Sequence, residues 1–157
     1  MGRGEDPARP ARLFVARLDG SAPRPLDVPG IRSFSSGVAP SPDGRSVAAV
    51  DPAGRLVIVP LAGGEARHVA GSVEDESPVG FSPDGASLYV FGRGEAPAPV
   101  TRIDLASGKR EVVRTLMPSD PAGVDRIRNV RMTPDGTSWA YTAYRTLSVL
   151  YVADGIR

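Results

Sequence analysis

The sequence predicts an all-β fold, a partial β-propeller of about three four-stranded antiparallel blades plus half a blade. Three observations predict it. One kind of turn recurs as Ser41-Pro42-Asp43-Gly44, Ser82-Pro83-Asp84-Gly85 and Thr133-Pro134-Asp135-Gly136, 41 and 51 residues apart. A period of about 40 to 50 residues with several short strands per unit marks a propeller or a related repeat array. Glycine and proline, 18 and 16 of the 157 residues, fall mostly between apolar runs, where they punctuate the chain as turns. No stretch of the repeat region keeps a 3.6-residue apolar period, so helices are not expected.

Each element follows from aligning the chain on these turns. Residues 1–10 read as a disordered N-terminal segment, and the partial propeller spans 11–157. Leu13 to Gly20, followed by Arg24-Pro25-Leu26, overlays on the third and fourth runs of later units, so residues 11–30 form an outer half-blade. The first blade, 37–71, holds the runs Val38–Pro40, Ser46–Val50, Leu56–Val59 and Ala66–Val69. The second, 78–116, holds Val79–Phe81, Ser87–Phe91, Val100–Ile103 and Glu111–Val113. The last, 129–157, holds Val130–Met132, Ser138–Thr142 and a third run, Val149–Val152. Within each turn proline presets φ, the carboxylate of Asp43, Asp84 or Asp135 accepts backbone N–H groups, and Gly44, Gly85 or Gly136 tolerates positive φ. The three aspartates are therefore structural turn residues.

Composition excludes several functions. A net charge of +1 argues against a nucleic-acid surface, which needs a clustered basic excess. Lys109 is the only lysine, an arginine bias that fits a GC-rich genome. Without cysteine there is no disulfide, thiolate or cysteine-metal chemistry. No apolar stretch suits a signal peptide or a membrane span.

Phe81-Ser82-Pro83-Asp84-Gly85 followed by Leu88-Tyr89-Val90 resembles the TolB-like, WD-like propeller repeat of bacteria. The C-terminal third is similar to the closing segment of the propellers at the C-terminus of acidobacterial-type serine/threonine protein kinases. The residues that carry this are Asp120-Pro121-Ala122-Gly123-Val124, Thr133–Gly136, Ala140-Tyr141, Tyr144-Arg145, Leu147-Ser148 and Leu150-Tyr151-Val152 through Gly155. That group usually has an acidic residue where this chain has Val149, and another just before the glycine, which Asp154 supplies. The resemblance implies a sensory module that lies outside the cytoplasm when it belongs to a membrane-anchored kinase. The glycine-rich ATP loop, Val-Ala-Ile-Lys strand, His-Arg-Asp loop and Asp-Phe-Gly are all absent, so kinase activity is not carried over.

No residue pattern points to catalysis, a cofactor or a metal. His68 is the only histidine and falls in an outer strand, and the serine cluster Ser33-Phe34-Ser35-Ser36-Gly37 lacks the nucleophile elbow. Thr133–Trp139 is similar to the aspartate box of sialidase propellers, itself a structural turn, and Trp139 is expected to pack between blades. Gly92-Arg93-Gly94-Glu95-Ala96-Pro97 fails the dinucleotide fingerprint. Glu74-Asp75-Glu76 lacks the spaced partners of a hard-cation site.

Topology directs attention elsewhere. If strands run outward from the axis, the Pro-Asp-Gly turns share one end of the blades, and the longer loops share the other. That second rim carries Glu74, Asp75, Glu76, Arg93, Glu95, Asp120, Asp125, Arg126, Arg128 and Arg145, and binding residues concentrate on such loops. The expectation is a non-catalytic binding or sensory propeller whose partner is a protein, a peptide or a small ligand. The alternatives are a glycan hydrolase or lyase using acids such as Glu76 and Asp125, and the gating propeller of a prolyl-oligopeptidase-like peptidase.

Propellers typically need about four to eight blades, more than this chain supplies. Two readings follow: the chain is the C-terminal fragment of a larger propeller, or two copies pair as a homodimer and close a ring of about six blades.

Overall fold

The computed structural model describes residues 13–16, 19–26, 37–51, 53–94 and 96–151. Residues 1–10, Ser33–Ser36, Glu95, Val152, Asp154 and Gly155, on which expectations were placed, lie outside the described residues.

The protein is all-β: no helix occurs among the described residues. Among the described residues twelve strands follow one another as β1 (Leu13–Val15), β2 (Arg24–Leu26), β3 (Ala39–Pro40), β4 (Ser46–Val50), β5 (Leu56–Pro60), β6 (Arg67–His68), β7 (Glu76–Phe81), β8 (Ser87–Gly92), β9 (Ala98–Asp104), β10 (Arg110–Leu116), β11 (Val124–Met132) and β12 (Trp139–Arg145). They form two four-stranded meanders, β3-β4-β5-β6 and β7-β8-β9-β10, and two two-stranded sheets, β1-β2 and β11-β12, all antiparallel. This is a partial propeller.

Side chains alternate across each strand, so a blade has two faces to bury. On β4, Ala48 and Val50 face the second blade and join Leu56, Ile58, Leu88 and Val90 in one core cluster. Val47 and Ala49, with Val57 and Val59, form a separate cluster on the other face. A third cluster joins the second blade to β11-β12, with Phe91, Val100 and Leu116 against Ile127 and Val130. Trp139 packs between blades as expected, its ring edge-on to Tyr89 at 5.8 Å and 79°. The Arg114 guanidinium lies 5.8 Å from the Trp139 ring centroid.

The three repeated turns are nearly superimposable in their bonding. The glycine N–H donates to the carbonyl of the first turn residue at 2.9, 2.8 and 2.8 Å. Asp43, Asp84 and Asp135 each accept from that residue's hydroxyl, at 2.6, 2.5 and 2.5 Å, and from the backbone N–H two residues on, at 3.0, 3.0 and 3.1 Å. Gly44, Gly85 and Gly136 take φ of +66°, +71° and +74°, a region glycine enters without steric cost. The neighbouring hydroxyl holds each of the three carboxyls below its usual range, with the N–H bond adding to the effect.

The last sheet departs from the sequence expectation. Its first strand starts at Val124, and the expected third run, Val149–Val152, forms no strand over the described Val149–Tyr151. Val149, Leu150 and Tyr151 are 73%, 90% and 85% exposed. Among the described residues no strand pairs with Val149–Tyr151, and an unpaired run buries too little surface to offset the entropy of ordering its backbone.

Candidate functional site

Ser87 pairs with Asp104 at one end of the second blade, and Glu76 with Gly92 at the other. The Pro-Asp-Gly turns therefore cap one rim, while the β8-β9 loop and the connectors into β7 and β11 cap the opposite one. The second rim holds most of the sequence-predicted binding residues. Arg93 anchors one part: its N–H donates to the Asp75 carbonyl at 3.0 Å and its guanidinium lies 3.4 Å from the Asp75 carboxylate. Asp75 itself takes φ of +61°, an unusual conformation for a non-glycine residue, held by that pairing.

The β8-β9 loop then meets the last sheet. The Ala96 N–H donates to the Asp125 carbonyl at 2.9 Å, and the Thr146 hydroxyl to the Asp125 carboxylate at 3.0 Å. Arg126 lies 3.6 Å from the same carboxylate. Arg145 clamps the incoming connector by donating to the Asp120 carboxylate at 2.6 Å and to its carbonyl at 2.7 Å. That guanidinium is the main reason the Asp120 carboxyl is held below its usual range. Beyond this clamp, Arg126, Arg128, Asn129 and Tyr144 line a hollow of about 300 Å³. It sits beside a β-bulge at which Asn129 takes φ of +52°.

Two of the predicted residues have different surroundings. Glu74 is exposed. Glu76 is 3% exposed, and both its carboxylate oxygens are engaged, by Arg110 at 2.6 and 3.1 Å and by the Val73 N–H at 3.0 Å. Arg110 also donates to the Gly71 carbonyl at 2.6 Å, so this pair straps the connector 69–75 to the second blade. His68 lies on the outer strand β6, exposed, with Nδ1 3.9 Å from the Asp51 carboxylate.

Four buried side-chain polar atoms lack a hydrogen-bond partner among the described residues, and three of them belong to predicted rim residues: Arg93 Nε, Asp125 Oδ1 and Arg128 Nη1. Buried polar groups are otherwise almost always paired, so orphans call for a partner. They offer two donors and one acceptor. No group of three or more histidine, aspartate or glutamate side chains among the described residues is arranged to hold a metal.

Sequence reasoning missed one feature. At the opposite rim the inner strands converge on a cavity of about 450 Å³, lined by Pro40, Pro42, Phe81, Pro83, Met132 and Pro134 among others. The signal was present: a proline at the same register of three turns that all border the axis.

Sheet order, turn register and interblade cores together define this molecule as an arc of a β-propeller. The chain belongs to the family of the lipoprotein LpqB beta-propeller domain, which it matches over residues 14–154. It is also similar to the solved structure of a TolB from Agrobacterium tumefaciens, at 21% identity and a TM-score of 0.61, covering 85% of this chain and 51% of that one. For TolB from Acinetobacter baumannii the identity is 25% and the TM-score 0.58, covering 84% of this chain and 32% of that one. This chain thus spans about half of one relative and a third of the other. No curated protein matches it. No helix among the described residues is long and apolar enough to cross a membrane.

Proposed function

We propose that this chain is a non-catalytic recognition module that binds a peptide segment of a protein partner across the rim formed by Arg93, Asp125, Arg126 and Arg128. The observation that carries it is that three orphaned buried polar atoms belong to Arg93 of the β8-β9 loop and to Asp125 and Arg128 of β11, the strand which that loop meets. An extended peptide presents carbonyl oxygens to Arg93 and Arg128 and an N–H to Asp125, so one ligand type satisfies donors and acceptor together. The glycan-hydrolase alternative needs a free acid-base pair, whereas the Glu76 carboxylate is bound on both oxygens. Attachment to a membrane-anchored serine/threonine kinase, implied by the closing segment, would make the rim a sensory surface.

Selection of a random peptide library on the immobilised chain tests the proposal. Enriched peptides are expected to lose about tenfold in affinity on Arg128→Ala or Asp125→Asn, as removal of one charge-assisted hydrogen bond implies. Asp43→Asn, on the other rim, is expected to leave binding unchanged. Failure to enrich any peptide, or equal binding by all three variants, would sink the idea.

A further inference from the structure

The repeated turn also shapes the rim opposite the peptide surface. Each turn carries proline at its second position and follows one variable residue. Three successive repeats therefore place Pro40, Phe81 and Met132 at one register and Pro42, Pro83 and Pro134 at another. All six line the cavity of about 450 Å³. Its walls come from β3, β7 and β11 and the turns that follow them, and β7 in the middle touches both neighbours.

The wall presents carbon rather than free hydrogen-bonding groups. Proline has no N–H to give. The Ser41 and Thr133 hydroxyls, which also border the cavity, each donate to the aspartate of their own turn and accept the N–H of Ser46 or Ser138 at 3.0 Å. The carbonyls of the same two residues accept from Gly44 and Gly136. Gly80 and Phe81 are paired along β8. A charged group entering here loses its water and gains no counter-charge from these residues, so the fitting occupant is uncharged and apolar.

Two features select a flat aromatic one. The four prolines, all exposed, are rigid surfaces that need no ordering when a planar ring lies against them, the reverse of proline-rich ligands that dock on aromatic grooves. Met132 adds a polarisable thioether, and contacts between thioethers and aromatic rings are favourable. Gly80 sets its position: a Cβ there would stand 3.0 Å from Met132 Cε, so the missing side chain lets the methionine methyl rest on β7. Size sets the scale, since a cavity of about 150 Å³ holds one benzene ring. This one suits two or three rings.

We propose that this cavity binds an uncharged, planar aromatic molecule of two or three rings. It lies at the end of the blades opposite Arg93 and Arg128, and the two sites share no residue.

N-phenylnaphthylamine, neutral and three-ringed, brightens on leaving water and serves as the probe. Titrated onto the full chain, it is expected to bind saturably, one per chain, in the micromolar range. Dodecanol, uncharged but without a ring, is expected to compete about tenfold less well than naphthalene. Met132→Glu, which puts a charge in the wall, is expected to weaken probe binding about tenfold or more, while Lys109→Ala, on an exposed outer turn, leaves it unchanged. A second readout uses the unmodified chain. Met132 lines the cavity and Met117 does not. Ring currents from bound probe are expected to shift the Met132 methyl signal, identified by its loss in Met132→Leu, while the Met117 signal stays in place. Absence of saturable binding, equal binding by folded Met132→Glu, competition by dodecanol as strong as that by naphthalene, or an unmoved Met132 methyl each overturns the proposal.

Discussion

Gly71 and Gly108 meet where the connector into the second blade crosses that blade's outer turn. A Cβ on Gly71 would stand 2.2 Å from the Gly108 carbonyl oxygen, and the residue has φ of +75°. Steric overlap with backbone and an unfavourable conformation act together, so Gly71→Ala is expected to cost about 3 kcal/mol or more, read as a fall in the urea midpoint. The strap beside it makes a second prediction. Arg110→Ala leaves the Glu76 carboxylate, with 5% of its side chain exposed, without its cation. Because Arg110 is itself about one-third exposed, the expected loss is about 2 kcal/mol, below the figure for a fully buried pair. The turn aspartates predict a pH dependence. Their carboxyls are held below the ordinary value of 3.8, so the folded state binds fewer protons than the unfolded one near that pH. Their stabilisation is complete above about pH 5 and is lost as pH falls through the lowered values. Thermal melts are expected to show a steep acid limb, shallower in Asp84→Asn; an unchanged limb in that variant would refute the assignment.

At the scale of elements, the strands that could be read from sequence are those whose limits are set locally. Proline, aspartate and glycine determine each turn within a few residues, and the flanking runs become β3-β4, β7-β8 and β11-β12 as expected. Glu76 was not legible in the same way. The sequence places it among the acidic residues of the long-loop rim, and its burial depends on Arg110, 34 residues away, reaching across the blade. The orphaned atoms of Arg93, on the β8-β9 loop, and of Asp125 and Arg128, on β11, depend likewise on packing between segments distant in sequence. Val149–Tyr151 failed for the converse reason: an apolar run has the composition of a strand, but a strand also needs surfaces to cover, which no local pattern reports. Trp139 shows packing that was legible. A single tryptophan after an inner turn becomes the contact between sheets, and Trp139→Ala is expected to lower stability by about 3 kcal/mol by equilibrium unfolding, through lost ring contacts with Tyr89 and Arg114.

For the whole molecule, the arrangement is an arc whose blades depend on their neighbours for burial, so stability should spread along it through shared interfaces. The first blade is covered on both faces, with Ala48 and Ala49 fully buried on opposite sides. Among the described residues nothing covers the outward side of the β11-β12 sheet, with Tyr144 47% exposed. Hydrogen exchange is accordingly expected to be slowest in the buried strands β4 and β5 and faster in the exposed outer strand β6, and a reversal of that order would contradict the blade-by-blade account.

The three corners that share one hydrogen-bond scheme have a further consequence. Agreement within 0.1 Å in the glycine N–H bond and in both bonds to the aspartate makes them spare parts of one pattern, independent of the blade that carries them. A chain built from interchangeable corners can lengthen or shorten by whole blades without redesigning any joint. The number of blades then becomes a variable of heredity, while the corner stays fixed.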